Sequence, residues 1–484
     1  MTRQLVIGVD SSTQSTKVEA RDVATGEVVA SGTARHPPTA PPISEQDPRA
    51  WWAALVDAVA QLGDHRAEVV AISVAGQQHG LVLLDDAGDP LRPSKLWNDT
   101  TSAPQADRLV AELGADRWAA AIGSVPVASF TITKLAWVAE HEPDVLARAA
   151  NVMLPHDYLT WRLTGEHVTD RGDASGSGWF DPSSDTVVTD LLAAATGAWG
   201  GAVPRVLGPA QTAGMLTAAA ARELGLPGSV MVGPGTGDNM GAALGLGLVA
   251  GDVAISLGTS GTAFAVSDTP THDASGAVAG FASASGNFLP LVCTLNATKV
   301  TDTVATWLGT DAAGLARLAL AAVDDPGSAT LVPYFDGERT PNLPDATGTF
   351  TGLTNDTTRE QLALAAHDGV LCGLLDGVDA LRSVGATVDG RVFLIGGGAR
   401  SAAYRQRSAD LLDQHVVVPV TDETVATGAA LQAAVVYQGG TFRAVAERWH
   451  LGDGERIEPR HDTTGTRTRY SALRHRTGRR QPLL

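Results

Sequence analysis

Cysteine is almost missing from this 484-residue chain, which has only Cys293 and Cys372. Two such residues form no framework of paired bridges, so a reducing cytoplasm is the default setting. Lysine is nearly as scarce: Lys17, Lys95, Lys134 and Lys299 are all there is. Positive charge is in deficit overall, with 35 basic against 53 acidic residues and a net charge of −18. That balance disfavours nucleic acid or an anionic membrane as partner of the body of the protein. No apolar run approaches the roughly 18 residues of a membrane span. No charged-then-apolar signal segment precedes the first strand either. What remains is 44 % hydrophobic and 18 % charged, a soluble composition long enough for two or three domains with cores of their own.

Against that background, two segments stand out. IGVDSSTQSTK runs from Ile7 to Lys17, and ISLGTSGTAFAV from Ile255 to Val266. Each is an apolar run, a cluster of small and hydroxyl residues, then a second β-prone run. The pattern predicts a hairpin whose tight loop offers backbone N–H groups and hydroxyls to an anion. Two such loops suggest two related domains gripping one polyphosphate. Only the first carries an acid, Asp10, suited to Mg²⁺; Thr13 and Ser15 stand beside it.

The rest of the chain alternates strands and helices. Leu5 to Asp10, Lys17 to Val23 and Gly26 to Ala34 predict an antiparallel meander, which the Pro-rich stretch from His36 to Pro42 ends. Asp47 or Pro48 then starts a helix with Trp51, Trp52, Leu55, Val56 and Val59 on one stripe. Val69 to Gly80 reads as a buried strand running into a polar turn, with Leu81 to Asp89 as another hairpin arm. Residues 391–401 and 416–434 each read as strand, turn and helix. The division expected is 1–248, 249–458 and an Arg-rich tail, 459–484. That tail has seven Arg against one Asp after Pro459 and reads as frayed beyond the core.

Several clusters at strand ends could carry chemistry. Asp238 lies in GPGTGDNMGAALG between glycines and a helix start. It is either a helix cap or a carboxylate exposed to a substrate, able to accept a proton from an attacking hydroxyl; Asn239 beside it could bind the same substrate. Gln77–Gln78–His79–Gly80 and Trp97–Asn98–Asp99 offer amides, an imidazole and a carboxylate suited to a polyhydroxylated ligand. Gly396–Gly397–Gly398 after an apolar strand admits a flat ring or a phosphate, or simply turns the chain. A dinucleotide fold is disfavoured, because no GxGxxG comes after the first strand. Glu338 and Arg339 before a proline read as a local ion pair.

Taken together, VDSSTQSTK, SEQDPRAWW, VAGQQHG, LWND, LPHDYL, GTGDN, SLGTSGT, GERTP, TFTGLT and LIGGGARS resemble the FGGY carbohydrate kinases, from Leu5 to about Gln438. The resemblance implies two α/β domains of the actin-like, hexokinase-like (ribonuclease H-like) ATPase type around a central cleft, closing over ATP and a sugar. SEQDP with Trp-Trp, GQxHG and LWND point to members acting on D-xylulose. By the same resemblance Asp238 is the proton acceptor and Asp10 organises Mg²⁺ and phosphate. Gln78, His79, Asn239 and Asp99 would contact the sugar. Thr13, Gly258 and Thr259 would hold phosphates, and Gly397, Gly398 and Ala399 adenosine. Homodimers are common in that family, and a homodimer is compatible with this chain.

The chain also departs from the family pattern. Ser12 replaces the glycine of the usual DxGT loop. Gln78 stands where Met is common, offering hydrogen bonds in place of thioether packing. His156 stands where Lys is common. Three alternatives stay open at this stage: an FGGY kinase for ribulose, gluconate, fuculose or a polyol, a non-catalytic actin-like sugar sensor, and a kinase-like regulator. Retention of Asp10 and Asp238 argues against the sensor. The strand beginning at residue 5 leaves no room for the winged helix a regulator carries.

Overall fold

Every residue of strand Leu5–Ser11 is buried, as a strand covered on both faces requires. It pairs antiparallel with Ser15–Asp22, which pairs antiparallel with Val28–Arg35; this is the expected meander. Asp47 caps helix Pro48–Ala60, its side chain accepting the Arg49 N–H, while Pro48 fills a first-turn position where no amide donor is needed. The helix buries Trp51, Trp52, Leu55 and Val59 in one core with Ile7, Val9 and Val18.

On its other side Leu5–Ser11 pairs parallel with Val69–Gly76. Two short strands, Met231–Val232 and Thr236–Gly237, also pair parallel with Val69–Gly76. Parallel strands that stop side by side deliver the turns and helix starts at their carboxyl ends to one edge of the sheet. Asp10, Gln77–His79 and Asp238 all sit at that edge.

The computed structural model describes residues 3–421 and 423–477. The chain splits into two compact units. The first contains the chain up to Val249 with Ser267–Leu289 and Glu423–Gly452; the second contains Ala250–Val266, the chain from Pro290 to 422, and the chain from Asp453 onward. The 248/249 division therefore marks only the first crossing between units. Helix Thr424–Gln438 returns to the first unit because it packs on Leu5–Ser11, Val69–Gly76 and helix Asp238–Gly245.

In the second unit Val253–Leu257 and Gly261–Ala265 form the second hairpin. Gly261–Ala265 pairs antiparallel with Phe288–Thr294, and Val253–Leu257 pairs parallel with Val392–Ile395. Val416–Pro419 and Gly454–Ile457 extend the sheet beyond Val392–Ile395. Each unit thus contains a parallel neighbour, a first hairpin strand, its partner and a third antiparallel strand, in the same order. No helix among the described residues is long and apolar enough to cross a membrane.

The tail differs from its expected frayed state. Thr466–Thr477 is a helix that buries Tyr470 and Leu473. Its Arg467 pairs with Asp379 at 2.5 Å and its Arg474 with Asp376 at 2.6 Å. Two apolar residues three positions apart made one face, too small a signal to stand out in a run of arginines. Residues 478–484 lie outside the described residues.

Candidate active site

The first loop is a tight turn closed by the Ser12 N–H donating to the Ser15 carbonyl at 3.1 Å. Asp10 stands before it, opposite Lys17 on the hairpin and beside Ala75 on the parallel strand. The Ser12 hydroxyl donates to Asp10 Oδ1. Burial raises the Asp10 pKa to about 6, against the lowering effects of Ser12 and Lys17. Thr13 links the loop to its surroundings: its hydroxyl donates to Gln77 Oε1 at 3.0 Å and accepts from the Trp97 indole at 2.9 Å.

Asp238 is the first residue of helix Asp238–Gly245, with Gly237 at the cap position. It therefore does not cap the helix, although the helix start favours its charge. Its Oδ1 accepts the Asn239 N–H at 2.8 Å and the Asn239 side-chain amide at 3.0 Å. Burial, and then repulsion from Asp10, raise its pKa to about 7. The side chain keeps partial exposure. Two mutually repelling carboxylates, one of them poised near neutrality, can take up a cation and a proton from a hydroxyl.

Asn239 Nδ2 also donates to Gln78 Oε1 at 2.8 Å, so Gln78, Asn239 and Asp238 form one chain. Gly237 makes room for it, since a Cβ there would lie 2.7 Å from Gln78 Cγ. His79 has a left-handed backbone, φ 65°. Its ring is held by the Gly176 carbonyl, 2.9 Å from Nδ1, and stacks on Phe130 with centroids 5.1 Å apart. Phe281 closes the third side at 5.5 Å.

Asp99 is not joined to this chain by any contact among the described residues. It is fully buried, accepting the backbone N–H groups of Ser44 at 2.9 Å and Thr101 at 3.0 Å, and lies 3.5 Å from Lys95 Nζ. These bonds lower its pKa against the opposing effect of burial, and they hold the segment that carries Trp97. Glu338 is likewise engaged locally, accepting from the Leu295 N–H at 2.6 Å and from Asn296 at 3.0 Å.

In the second unit Gly258 and Thr259 sit in the hairpin loop, and Gly396–Gly398 comes directly after the parallel strand Val392–Ile395. The two turns are adjacent. A Cβ on Gly398 would lie 2.6 Å from Leu257 Cβ, and Gly396 has φ 84°. Thr298 fastens the loop by donating its N–H and its hydroxyl to the Gly258 carbonyl, at 3.0 and 2.9 Å. Thr259 and Gly397 are exposed, Ala399 is buried, and a Cβ on Gly397 would meet nothing within 4 Å. The arrangement leaves backbone open to a flat or anionic ligand.

Several residues around these sites carry no signal in the sequence. Phe130 and Phe281 belong to no motif, and their meeting at His79 is a tertiary event. Behind Gln78 lies a buried group, His156, Asp157, Asp170 and Asp173. In the sequence LPHDYL and its His156 stand out only as part of the family pattern, and nothing there shows that Asp170 and Asp173 of TDRGDASG would meet them.

Comparison with known proteins matches residues 5–245 to the FGGY family of carbohydrate kinases, N-terminal domain, and residues 253–437 to its C-terminal domain. The chain is 49% identical over 455 residues to a xylulose kinase of Streptomyces rubiginosus, covering 94% of this chain and 92% of that protein. It is 36% identical over 420 residues to the xylulose kinase of Escherichia coli K12, covering 85% and 86%. The crystal structure of xylulose kinase from Bifidobacterium adolescentis superposes with TM-score 0.87 at 42% identity, over 98% of this chain and 100% of that one. The two α/β units, their loops and these relatives agree: the chain belongs to the FGGY family of carbohydrate kinases.

Proposed function

We propose that this protein transfers the γ-phosphoryl group of ATP to the 5-hydroxyl of D-xylulose, giving ADP and D-xylulose 5-phosphate. The observation that carries the reading is the Gln78–Asn239–Asp238 chain, with Asp10 near enough to raise the Asp238 pKa. Xylulose kinases at up to 49% identity along almost the whole chain support the sugar.

In this mechanism Asp238 accepts the proton of the 5-hydroxyl as that oxygen attacks the γ-phosphorus; the bond to the β,γ-bridging oxygen breaks and ADP leaves. Asn239 orients the Asp238 carboxylate through two hydrogen bonds. Gln78 and His79 bind sugar hydroxyls, His79 fixed by Phe130 and Gly176. Backbone N–H groups and hydroxyls around Thr13, Gly258 and Thr259 bind phosphate oxygens, and Gly397, Gly398 and Ala399 accommodate adenosine.

The residues fit Mg²⁺. No group of three or more His, Cys, Asp or Glu among the described residues is arranged to hold a metal. Mg²⁺ in kinases needs only one or two carboxylates besides phosphates and water, and Asp10 would supply one. When bound, the ion neutralises charge on the transferring phosphoryl group.

Coupled ADP release with Mg·ATP across D-xylulose, D-ribulose, L-ribulose, L-fuculose, D-gluconate and glycerol tests the reading, with Asp238→Ala as control. The expected result is a strong preference for D-xylulose that vanishes in the variant. Preference for another sugar would retain the chemistry and reject the substrate. Absence of turnover on all six would reject both.

A further inference from the structure

The buried group behind Gln78 has no part in the proposed phosphoryl transfer. His156 is fully buried in the first turn of helix Pro155–Thr164. Glycine makes room for it: a Cβ on Gly76 would lie 3.0 Å from His156 Cβ, and one on Gly235 would lie 2.9 Å from its Cδ2. Both glycines sit at the edge where the parallel strands end. The ring lies between two carboxyl groups. His156 Nε2 is 3.1 Å from Asp157 Oδ1, and Nδ1 is 3.4 Å from Asp173 Oδ2.

The surroundings define the charge problem. From its own helix His156 faces Asp157; from the segment 168–174 it faces Asp173, and Asp170 at 3.5 Å from Nε2. Asp238 acts on Asp173 from the next helix. Asp170 is satisfied, accepting from the N–H groups of Gly172 and Asp173 and the Thr236 hydroxyl. Arg171 points away, bonding the carbonyls of Pro182, Gly286 and Asn287. Among the described residues, no lysine or arginine lies within ion-pair distance of Asp157 or Asp173. Both Asp173 oxygens and both His156 nitrogens lack an aligned hydrogen-bond partner.

Proton counting constrains such a group. A neutral imidazole offers one donor and one acceptor, so it can serve two carboxylates only if one of them carries a proton; an imidazolium serves two ionised ones. In every such state at least one carboxyl charge is cancelled, and the three side chains carry a net charge no more negative than −1. Full ionisation with a neutral ring would leave two uncompensated buried charges. In keeping with this, burial drives Asp157 and Asp173 well above the usual carboxylate range and His156 down to about 3.

Asp173 is also what the Gln78 amide faces. The Gln78 amide lowers the Asp173 pKa against the rise caused by burial. Gln78 Oε1 is already committed to Asn239. The buried Gln78 Nε2 and both Asp173 oxygens thus all lack an aligned partner, an unmet donor and unmet acceptors of complementary kind.

We propose that Asp157, His156 and Asp173 form a buried proton-sharing triad, and that Asp173 is a positioning residue that sets the Gln78 amide and, through Asn239, the orientation of Asp238. The second half rests on the proposed sugar-binding role of Gln78; the triad itself does not.

Two measurements on the full-length protein test this. In ¹⁵N-histidine-labelled protein, with Asp157 and His156 retained, the His156 ring resonances (assigned by their loss in His156→Gln) should stay fixed between about pH 5.5 and 9, and should move in Asp173→Asn. Titration near the ordinary histidine value, or shifts unaltered in Asp173→Asn, would overturn the triad whether or not any sugar is turned over. In steady-state kinetics Asp173→Asn should raise the sugar KM about tenfold and leave the ATP KM within about twofold, because an amide facing Gln78 reverses the donor–acceptor match. In a Gln78→Leu background the same substitution should change the sugar KM less than about twofold, since its route is gone. Equal effects in both backgrounds would overturn the positioning role. Should Asp173→Asn fail to fold, His156→Gln carries the same cycle with the same expectations.

Discussion

At the scale of single residues, the proposed roles of Asp10 and Asp238 rest on two carboxyl groups that are each costly to ionise where they lie. Burial raises both pKa values, to about 6 and about 7, and repulsion from Asp10 adds to the rise at Asp238. The native state therefore binds these protons more tightly than the unfolded chain, and the stability they affect falls as pH rises from about 4 through 7. Asp238→Asn removes one charge. It should lower kcat by about a thousandfold or more, yet make the metal-free protein about 1 to 2 kcal/mol more stable near pH 8, a gain discounted for the partial exposure of the carboxyl. The gain should shrink near pH 5. Denaturant melts at the two pH values would check it; a loss of stability at pH 8 would show that the Asp238 charge is compensated in the fold. For the wild type, kcat/KM for the sugar should drop on the acid side of about pH 7, because a protonated Asp238 accepts nothing. A profile flat down to pH 5 would remove Asp238 as the base. As candidates, Asp10, Gln78, His79 and Asn239 were legible, because they stand in short motifs at strand ends. Asp99 was an equal candidate, and what its sequence neighbourhood hid is its burial against Ser44, Thr101 and Lys95.

At the scale of elements, the placement of Asp238, the proposed base, depends on how closely two helices approach. Helix Asp238–Gly245 carries Asp238 in its first turn, and helix Thr424–Gln438 lies against it. A Cβ on Gly245 would lie 1.9 Å from the Thr424 carbonyl oxygen, and one on Gly428 would lie 1.8 Å from that of Gly241. No rotamer change can relieve a clash with backbone, so the helices would have to separate. Gly428→Ala should destabilise the first unit by about 3 kcal/mol and depress kcat with it, as the Asp238 helix shifts. Unchanged melting and unchanged turnover would mean the helices yield more easily than their packing implies. Gly397→Ala makes the contrasting case. Its Cβ would meet nothing within 4 Å, so stability should hold while the ATP KM rises severalfold if adenosine occupies that space. An unchanged ATP KM would exclude Gly397 from the nucleotide site. The sequence displayed these glycines, but a close helix crossing and an open ligand face look alike in one dimension.

At the scale of the whole molecule, strand periodicity and the two loops identified two related α/β units correctly, because a buried parallel strand and a tight hydroxyl-rich turn are local signals. The return of 423–452 to the first unit was hidden, since helix Thr424–Gln438 is apolar on most sides and names no partner. The tail was misread for the opposite reason: its charge masks a docked helix. Asp410, buried in the second unit, accepts the backbone N–H groups of Arg460 at 2.8 Å and His461 at 3.2 Å. The chain then reaches helix Thr466–Thr477, whose Tyr470 lines a cavity with Leu331, Leu364 and Cys372. The arginine pairs of this helix are partly exposed and each contributes little. Burial of Tyr470 and Leu473 is the larger contribution, roughly 3 to 5 kcal/mol together as an upper figure. Truncation after Pro459 should therefore lower the melting temperature of the second unit by several degrees, and added salt should narrow that gap only slightly. Replacing Arg467 and Arg474 by Gln in the full-length chain should cost far less than the truncation. If the double substitution matched the truncation, the tail would be held by charge, and the apolar docking read from Tyr470 and Leu473 would be wrong.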